Sequence, residues 1–540
     1  MSSNLHQILA GMQSAQWYDH FRGALYPLNL ELCQTSSQKP PEVKSLLQLS
    51  ADHIVQDSTT TMNAVNILPQ ELCTVLMQQA LEGNKDRAVD VLLTKWPLQT
   101  LSLKKFAPEI FTKLSVLHDH VDLTRVAKQG LRYTTCVAHN FLETLKKKCK
   151  TKLKFVDLTG YPTAEVIAYY LATHCMLAHN EARQNLMIKK YEEAVKLLPE
   201  EEAHDKLERF TTDQSLPDDY FAVKLDLFVS SEPALYEVCK ALKVSGFRES
   251  TLRLIVDKLD VTCLGQPKVA ILLEQINPEH LYGLRLKYNS LSSMDFIRLC
   301  PLISTFTNIT SLDLSCNTIN IFQNDTACDE MTKLFTSLKN LVRLDLSNNR
   351  IKSKLRRVLS AIEKPLQYLK LAGCGLALTD LTYLSMSHHT QGLQELDVSE
   401  NGLGLNFGTV LHLLRNIQTQ VRVLELEDTS ISDNNLDSLN ISLKLLPSLM
   451  YLNISGNSLL SEKLHELGMA VAGLEHLQYI CMSYPRDCYL PDVGEEQDRL
   501  KGEFGNNFGH IIFTEQERRG ITNKVPTIVL TELDQDMDQL

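Results

Sequence analysis

The apolar positions in the second half of the chain fall into one recurring frame, Leu-x-x-Leu-x-Leu-x-x-Asn-x-Leu. The frame is filled at Leu281, Leu284, Leu286, Asn289 and Leu291, at Ile309, Leu312, Leu314, Asn317 and Ile319, and at Leu341, Leu344, Leu346, Asn349 and Ile351. Leu366, Leu369, Leu371, Cys374 and Leu376 follow, then Leu393, Leu396, Val398, Asn401 and Leu403. Val421, Leu424, Leu426, Thr429 and Ile431 make the sixth unit, and Leu449, Leu452, Ile454, Asn457 and Leu459 the seventh. The starts lie 28, 32, 25, 27, 28 and 28 residues apart, and a degenerate unit at Leu477, Ile480 and Met482 adds one more step of 28.

A fixed period of this length means stacked structural units. Alternation around Leu284 and Leu286 predicts a short strand with its leucines inward, and the roughly 15 residues that follow have room for a covering helix. One such unit cannot bury its apolar face alone, so only a stack is stable. The expected fold is therefore α/β, a leucine-rich-repeat solenoid of horseshoe form. The Asn after each strand is expected to turn inward and bond free backbone groups of neighbouring turns, which Cys374 and Thr429 can do less fully.

Upstream the spacing changes. From Glu42 to Trp96 apolar residues recur at helical intervals, with Leu46, Leu49 and Ile54 on one side and Leu72, Leu76 and Leu81 on another, predicting a helical N-terminal region over 42–150. Leu153, Val156 and Leu158 repeat the strand half of the frame and Leu252 to Val261 is a strand-like run, so 151–280 reads as irregular early repeats with an acidic, proline-punctuated loop near 199–219. The regular repeats occupy 281–482. Residues 1–41 form a variable N-terminal segment, and 483–540 a C-terminal cap with an acidic tail carrying Asp534, Asp536 and Asp538.

Composition narrows the function. A formal charge of -11 and a pI near 5.8 argue against a grip on phosphate backbones, so nucleic acid is not an expected partner. The 13 cysteines include no Cys-x-x-Cys pair, which points to buried reduced thiols and not to a zinc ribbon or disulfide framework. Met1 to Met12 lack the pattern of a secretory leader, and nowhere do about 18 apolar residues run together, so no membrane is expected and the cytoplasm, with the nucleus also open, is the expected location. No Gly-rich phosphate loop, Gly-x-Ser-x-Gly or His-Glu-x-x-His occurs, so the chain reads as no enzyme. His118-Asp119-His120 and His388-His389 lack the further ligands a metal needs, and no cofactor is expected.

Two short motifs in the helical region stand at a particular separation. Ser45-Leu46-x-x-x-Ser50-x-x-x-Ile54 resembles the elongin-binding box of cullin ubiquitin-ligase receptors, with Ser50 where Cys is usual. Leu68-Pro69-Gln70-Glu71-Leu72, whose first residue lies 22 past Leu46, resembles the cullin-selecting box. An amphipathic helix would lay Leu46 and Ile54 into an apolar groove, with residue 50 small enough for close approach. The bland alternative is a plain helical cap on the first repeats. Thr144-Leu145-x-x-x-Cys149-x-x-x-Leu153 fits the elongin box better by letter, but it carries the Lys146 to Lys148 run, feeds Leu153 into the core and has no second box after it.

The chain resembles the PRAME family, most closely its leucine-rich-repeat-containing protein 14 branch. Leu68-Pro69-Gln70-Glu71-Leu72, Ala80-Leu81-Glu82-Gly83 and Trp96-Pro97 are similar to that family's N-terminal block, with Cys73 and Leu98 where aromatic residues are usual. Phe155-Val156-Asp157-Leu158-Thr159-Gly160 is similar to its first strand, and Tyr484-Pro485-x-Asp487-Cys488-Tyr489 to the segment closing its last repeat. The resemblance implies a substrate receptor of a cullin-2 RING ubiquitin ligase recruited through elongins B and C. Leu46, Leu49, Ser50 and Ile54 would then contact elongin, and Leu68, Pro69 and Leu72 the cullin. It also implies an alternative, a stoichiometric negative regulator of NF-kappa-B (Toll-like receptor) signalling that binds an I-kappa-B kinase subunit without ubiquitin transfer.

Within the repeat frame the residue between the second and third apolar positions is expected on the concave face: Arg285, Asp313, Asp345, Lys370, Asp397, Glu425 and Asn453. With the neighbours Glu395, Glu427 and Asp428 these predict an acidic partner face able to attract a basic segment. Exposed strand positions are usually polar in any case, so ordinary solvation is the competing reading.

Overall fold

In the computed structural model the described residues are 44–103, 133, 136–137, 140–141, 144, 151–164, 221–246, 252–417, 420–489, 495–521 and 525–533. The segment 1–41, His118-Asp119-His120, the lysine run from Lys146, the loop 199–219 and the acidic tail lie outside them. Two compact units divide the chain, Met1–Leu281 and Tyr282–Leu540.

The first unit opens with helices α1 (Leu46–Ile54), α2 (Ser58–Ile67), α3 (Gln70–Glu82) and α4 (Asp86–Thr94). Each has a start signal or an apolar stripe that explains it. Ser45 and Gln48 make a reciprocal capping box at α1, Asp57 caps α2, and α4 buries Ala88, Val89, Leu92 and Leu93. Trp96, buried, donates its indole N–H to the carbonyl of Thr100 at 2.9 Å and so fixes the exit into strand β1 (Thr100–Ser102). Three parallel pairings join β1, β2 (Phe155–Ala164), β3 (Phe221–Val229) and β4 (Leu252–Val261) in chain order. Helices α5 (Glu232–Gly246) and α6 (Gln266–Leu273) belong to the same unit. β3 was not legible as a separate strand beside the acidic loop, although Val223, Leu225 and Leu227 alternate along it and are buried.

The second unit is the repeat solenoid. Strands β5 (Gly283–Arg285), β6 (Ser311–Asp313), β7 (Arg343–Asp345), β8 (Tyr368–Lys370), β9 (Glu395–Asp397), β10 (Val423–Glu425), β11 (Tyr451–Asn453), β12 (Tyr479–Ser483) and β13 (Thr527–Thr531) pair in parallel, each with the next. Between them run α7 (Ser293–Ile303), α8 (Asp325–Ser337), α9 (Leu355–Leu359), α10 (Leu378–Met386), α11 (Phe407–Ile417), α12 (Asp433–Leu443), α13 (Ser461–Val471) and α14 (Glu495–Arg519). Every leucine at the second frame position, from Leu284 to Leu452, is buried. The helices answer with stripes such as Phe407, Val410, Leu413, Leu414 and Ile417 on α11. Each buried side chain of this kind contributes about 1.5–3 kcal/mol.

Two features tie one repeat to the next. Asn317, Asn349, Asn401 and Asn457 each donate to a carbonyl of their own turn and to one in the preceding repeat, with N···O distances of 2.8–3.0 Å for these bonds. The residue just before that Asn position is left-handed in all seven units: Tyr288, Cys316, Asn348, Gly373, Glu400, Asp428 and Gly456 have φ between 46° and 73°.

The expected C-terminal cap carries the repeat architecture on. β13 pairs in register with β12 from Tyr479↔Thr527 to Ser483↔Thr531. α14 packs on its neighbours through small residues: a Cβ on Gly468 of α13 would stand 3.2 Å from Phe508, and one on Gly505 of α14 3.2 Å from Leu530 of β13. The aliphatic spacing of the frame is kept by Val525, Ile528 and Leu530, but 48 residues past Leu477 and so outside the step of 25 to 32.

Candidate protein-interaction surfaces

Helix α1 is held by one face and open on the other. Ala51 and the following Val55 are buried, whereas Leu46 is 80% exposed and Leu49 52%. Leu47 is 49% exposed beside them. Ser50 is exposed too, and its hydroxyl donates back to the carbonyl of Leu46 at 2.7 Å, so it presents little polarity outward. Ile54 is half-buried at the end of the same helix. Lys44 Nζ donates to Gln79 Oε1 at 3.2 Å and Lys85 Nζ to Gln56 Oε1 at 2.6 Å, which sets α1 across the C-terminal end of α3.

The second motif stands at the other end of α3. Pro69 is its N-cap residue and is exposed, while Leu68 and Leu72 are half-buried. Ile67, which the motif omits, is 81% exposed. With 13 residues in α3, the two motifs are separated by about 20 Å, room for two different subunits to engage them. An apolar residue at a helix end directly before Leu-Pro was the available signal for Ile67. The competing Thr144 motif is not a surface: Thr144 and Leu153 are buried, and Leu145 and Cys149 lie outside the described residues.

The expected acidic partner face needs correction. Glu395 and Asp397 are not open carboxylates but buried ones, and the face supplies its own cations. Arg285 Nε meets Asp313 at 2.9 Å, Lys370 Nζ meets Glu425 at 2.8 Å and Asp397 at 3.4 Å, and Arg343 Nη1 meets Glu395 at 3.4 Å. The Arg343 guanidinium also lies 4.2 Å from the centre of the Tyr368 ring. The physical reason is register. Parallel pairing sets these side chains directly beside one another, so charged residues pack against their neighbours before they meet water. Burial pushes the carboxyls of Asp345 and Glu395 up to about 7, with Asp313 adding to the first, and Lys370 and Arg343 opposing. Of the other predicted carboxylates, Glu427 is exposed and accepts from Asn453 Nδ2 at 3.1 Å, and Asp345, Glu425 and Asp428 are half-buried. Arg343 and Tyr368 were missed, although strand alternation puts the residue before the second leucine on the same face as the one after it.

His388 and His389 serve the backbone. Nε2 of His388 lies 2.9 Å from the carbonyl of Ile362, and His389 accepts the amide of Leu366 on Nδ1 at 3.2 Å. Burial holds His389 down at about 4.

The chain is similar to known proteins over both of its units. Residues 43–131 match the PRAME N-terminal domain and residues 221–501 the PRAME C-terminal domain. Leucine-rich repeat-containing protein 14 of Xenopus laevis is 26% identical over 469 residues, covering 83% of this chain and 89% of the relative. The Mus musculus protein of that name is 24% identical, covering 82% and 88%, and human PRAME family member 20 is 22% identical, covering 84% and 88%. Among solved structures, the leucine-rich repeat-containing protein LegL7 of Legionella pneumophila aligns with 54% of this chain and 92% of its own at 19% identity, with a TM-score of 0.32. The family domains and the curated relatives support a leucine-rich-repeat, protein-binding role. Matched by both family domains, the C-terminal one alone spanning more than half of its length, the chain belongs to the PRAME family.

Proposed function

We propose that this chain is a non-catalytic substrate receptor for a cullin-2 RING ubiquitin ligase, recruited through elongins B and C and acting in the cytoplasm. In this reading the open side of α1, with Leu46, Leu49 and Ser50, enters an apolar groove on elongin. The turn at Leu68 and Pro69 with the start of α3 meets the cullin, and the repeat strands hold the substrate. The observation that carries it is the exposure of Leu46 at 80%, on a helix whose other side is anchored by Ala51 and Val55. Water-exposed leucines in a row cost free energy unless a partner covers them. A helix used only as a cap would turn Leu46 inward.

The test is co-purification of elongins B and C with the tagged full chain from cells, comparing wild type with Leu46→Ser. Loss of both elongins from a folded variant supports the receptor. Absence of elongins from the wild type overturns it and leaves the alternative, a stoichiometric regulator of NF-kappa-B signalling that binds a kinase subunit.

A further inference from the structure

Two carboxylates on the strand face of the repeats, half-buried Asp345 and buried Glu395, are less fully compensated than their neighbours. Asp345 of β7 accepts the amide of Ser347 at 2.9 Å, faces Asp313 in register across β6 and β7, and has no ion-pair partner within 4 Å among the described residues. Glu395 of β9 is 3% exposed. Its Oε1 meets Arg343 at 3.4 Å, and its Oε2, also buried, has no hydrogen-bond partner among the described residues. Between them, on β8, stand Tyr368 and Lys370, and Lys370 is already divided between Asp397 and Glu425.

An incompletely compensated carboxylate in a low-dielectric site is relieved either by a proton or by an added cation. We propose that an arginine or lysine side chain of a protein partner docks over β8, flanked by Asp345 and Glu395, and completes the compensation that Arg343 and Lys370 begin. The proposal rests on the repeats being the protein-binding surface and not on ligase recruitment. An arginine fits best, since its planar guanidinium can stack beside the Tyr368 ring, as Arg343 does, and hold its charge between the two carboxyls. Nucleic acid and anionic lipid are disfavoured by the same carboxylates.

Docking is linked to protons. The groups facing Asp345 are Asp313, Lys370, Arg343 and Tyr368, with Cys374 nearby. Those facing Glu395 are Arg343, Lys370, Tyr368, Asp397 and Glu425. Both carboxyls titrate near neutrality, so a docked cation drives proton release and an acid medium weakens docking.

The experiment titrates the full chain into a short fluorescent Arg-Ser repeat peptide and reads anisotropy at about pH 8 and about pH 6. Glu395→Gln and Asp345→Asn are tested singly and together, so that if the pair does not fold the singles decide. The control carries Glu462→Gln with Glu517→Gln, exposed carboxylates of α13 and α14, and removes the same net charge. The expected result is a loss of about tenfold or more in the paired variant, less than about twofold in the control, and weaker wild-type binding at the acid pH. Equal loss in both variants, no binding by the wild type, or binding indifferent to pH overturns the proposal. Failure of elongin capture leaves it standing.

Discussion

The side-chain amide of Asn457 donates to the carbonyl of Leu426, one repeat upstream, at 2.9 Å. Asn457 also donates to Ile454 at 2.9 Å and accepts from Ile431 at 2.9 Å and Thr429 at 3.2 Å. The hydroxyl of Thr429, at the same frame position one repeat earlier, donates to one carbonyl, that of Leu426 in its own turn, at 2.8 Å and stands 3.5 Å from Asn457 Oδ1. Asn457→Ala should therefore lower stability by about 2–4 kcal/mol, because buried groups of two repeats lose partners together. Thr429→Ala should cost about 1 kcal/mol. Urea unfolding of the two variants side by side checks the ratio, and equal losses would refute the inter-repeat role.

The left-handed position before each Asn makes a second contrast. Gly373 has φ of 61°, and a Cβ there would stand 2.3 Å from Asn348 Oδ1. Gly373→Ala should destabilise by about 1–2 kcal/mol. Glu400 occupies the same conformation at φ 56° with a full side chain, so Glu400→Gly should be neutral or gain up to about 1 kcal/mol. Denaturation midpoints report both signs.

The strand face makes stability depend on pH in an unusual direction. Asp345 and Glu395 are raised to about 7, so between the ordinary carboxylate range and neutrality the folded protein holds protons that the unfolded chain has released. Their contribution is fully present below the ordinary range and is lost as pH rises through about 7. Glu515, lowered by Arg518 and Arg519, works in the opposite sense at the acid end. Thermal melts across pH 5 to about 8 should thus show a decline in the wild type that Glu395→Gln makes shallower. An identical profile in the variant contradicts the assignment.

The last helix and strand lie largely past residue 501, where the matched family domain ends, yet they are bound into the core. Phe508 is fully buried against Gly468. Phe508→Ala should cost about 3–5 kcal/mol, and a separate melting of α14 with β13, seen by hydrogen exchange, is the result that would oppose a single cooperative unit.

Much of this was legible in the chain. The frame from Leu281 to Leu459 names the strands, the inward leucines and the Asn positions, because stacking imposes one side-chain geometry on every turn. Leu46 and Pro69 could be singled out, but whether a helix turns them outward depends on the packing of Ala51 and Val55, which spacing alone leaves ambiguous. The acidic face was misread for a related reason: letters give charge, whereas the pairing of Lys370 with Glu425 and Asp397 follows from strand register. The left-handed column escaped because mixed residues, including Tyr288 and Glu400, carry it, and β13 because it follows β12 by 48 residues, outside the repeat period.

The central claim is tested most directly by titrating purified elongin B–C into the purified full chain, wild type and Leu46→Ser with Leu49→Ser, by calorimetry with melting curves alongside. The account predicts one-to-one binding that the double variant weakens by about a hundredfold, roughly 2.7 kcal/mol, with an unchanged melting temperature. No binding by the wild type, or equal binding by the variant, would contradict it.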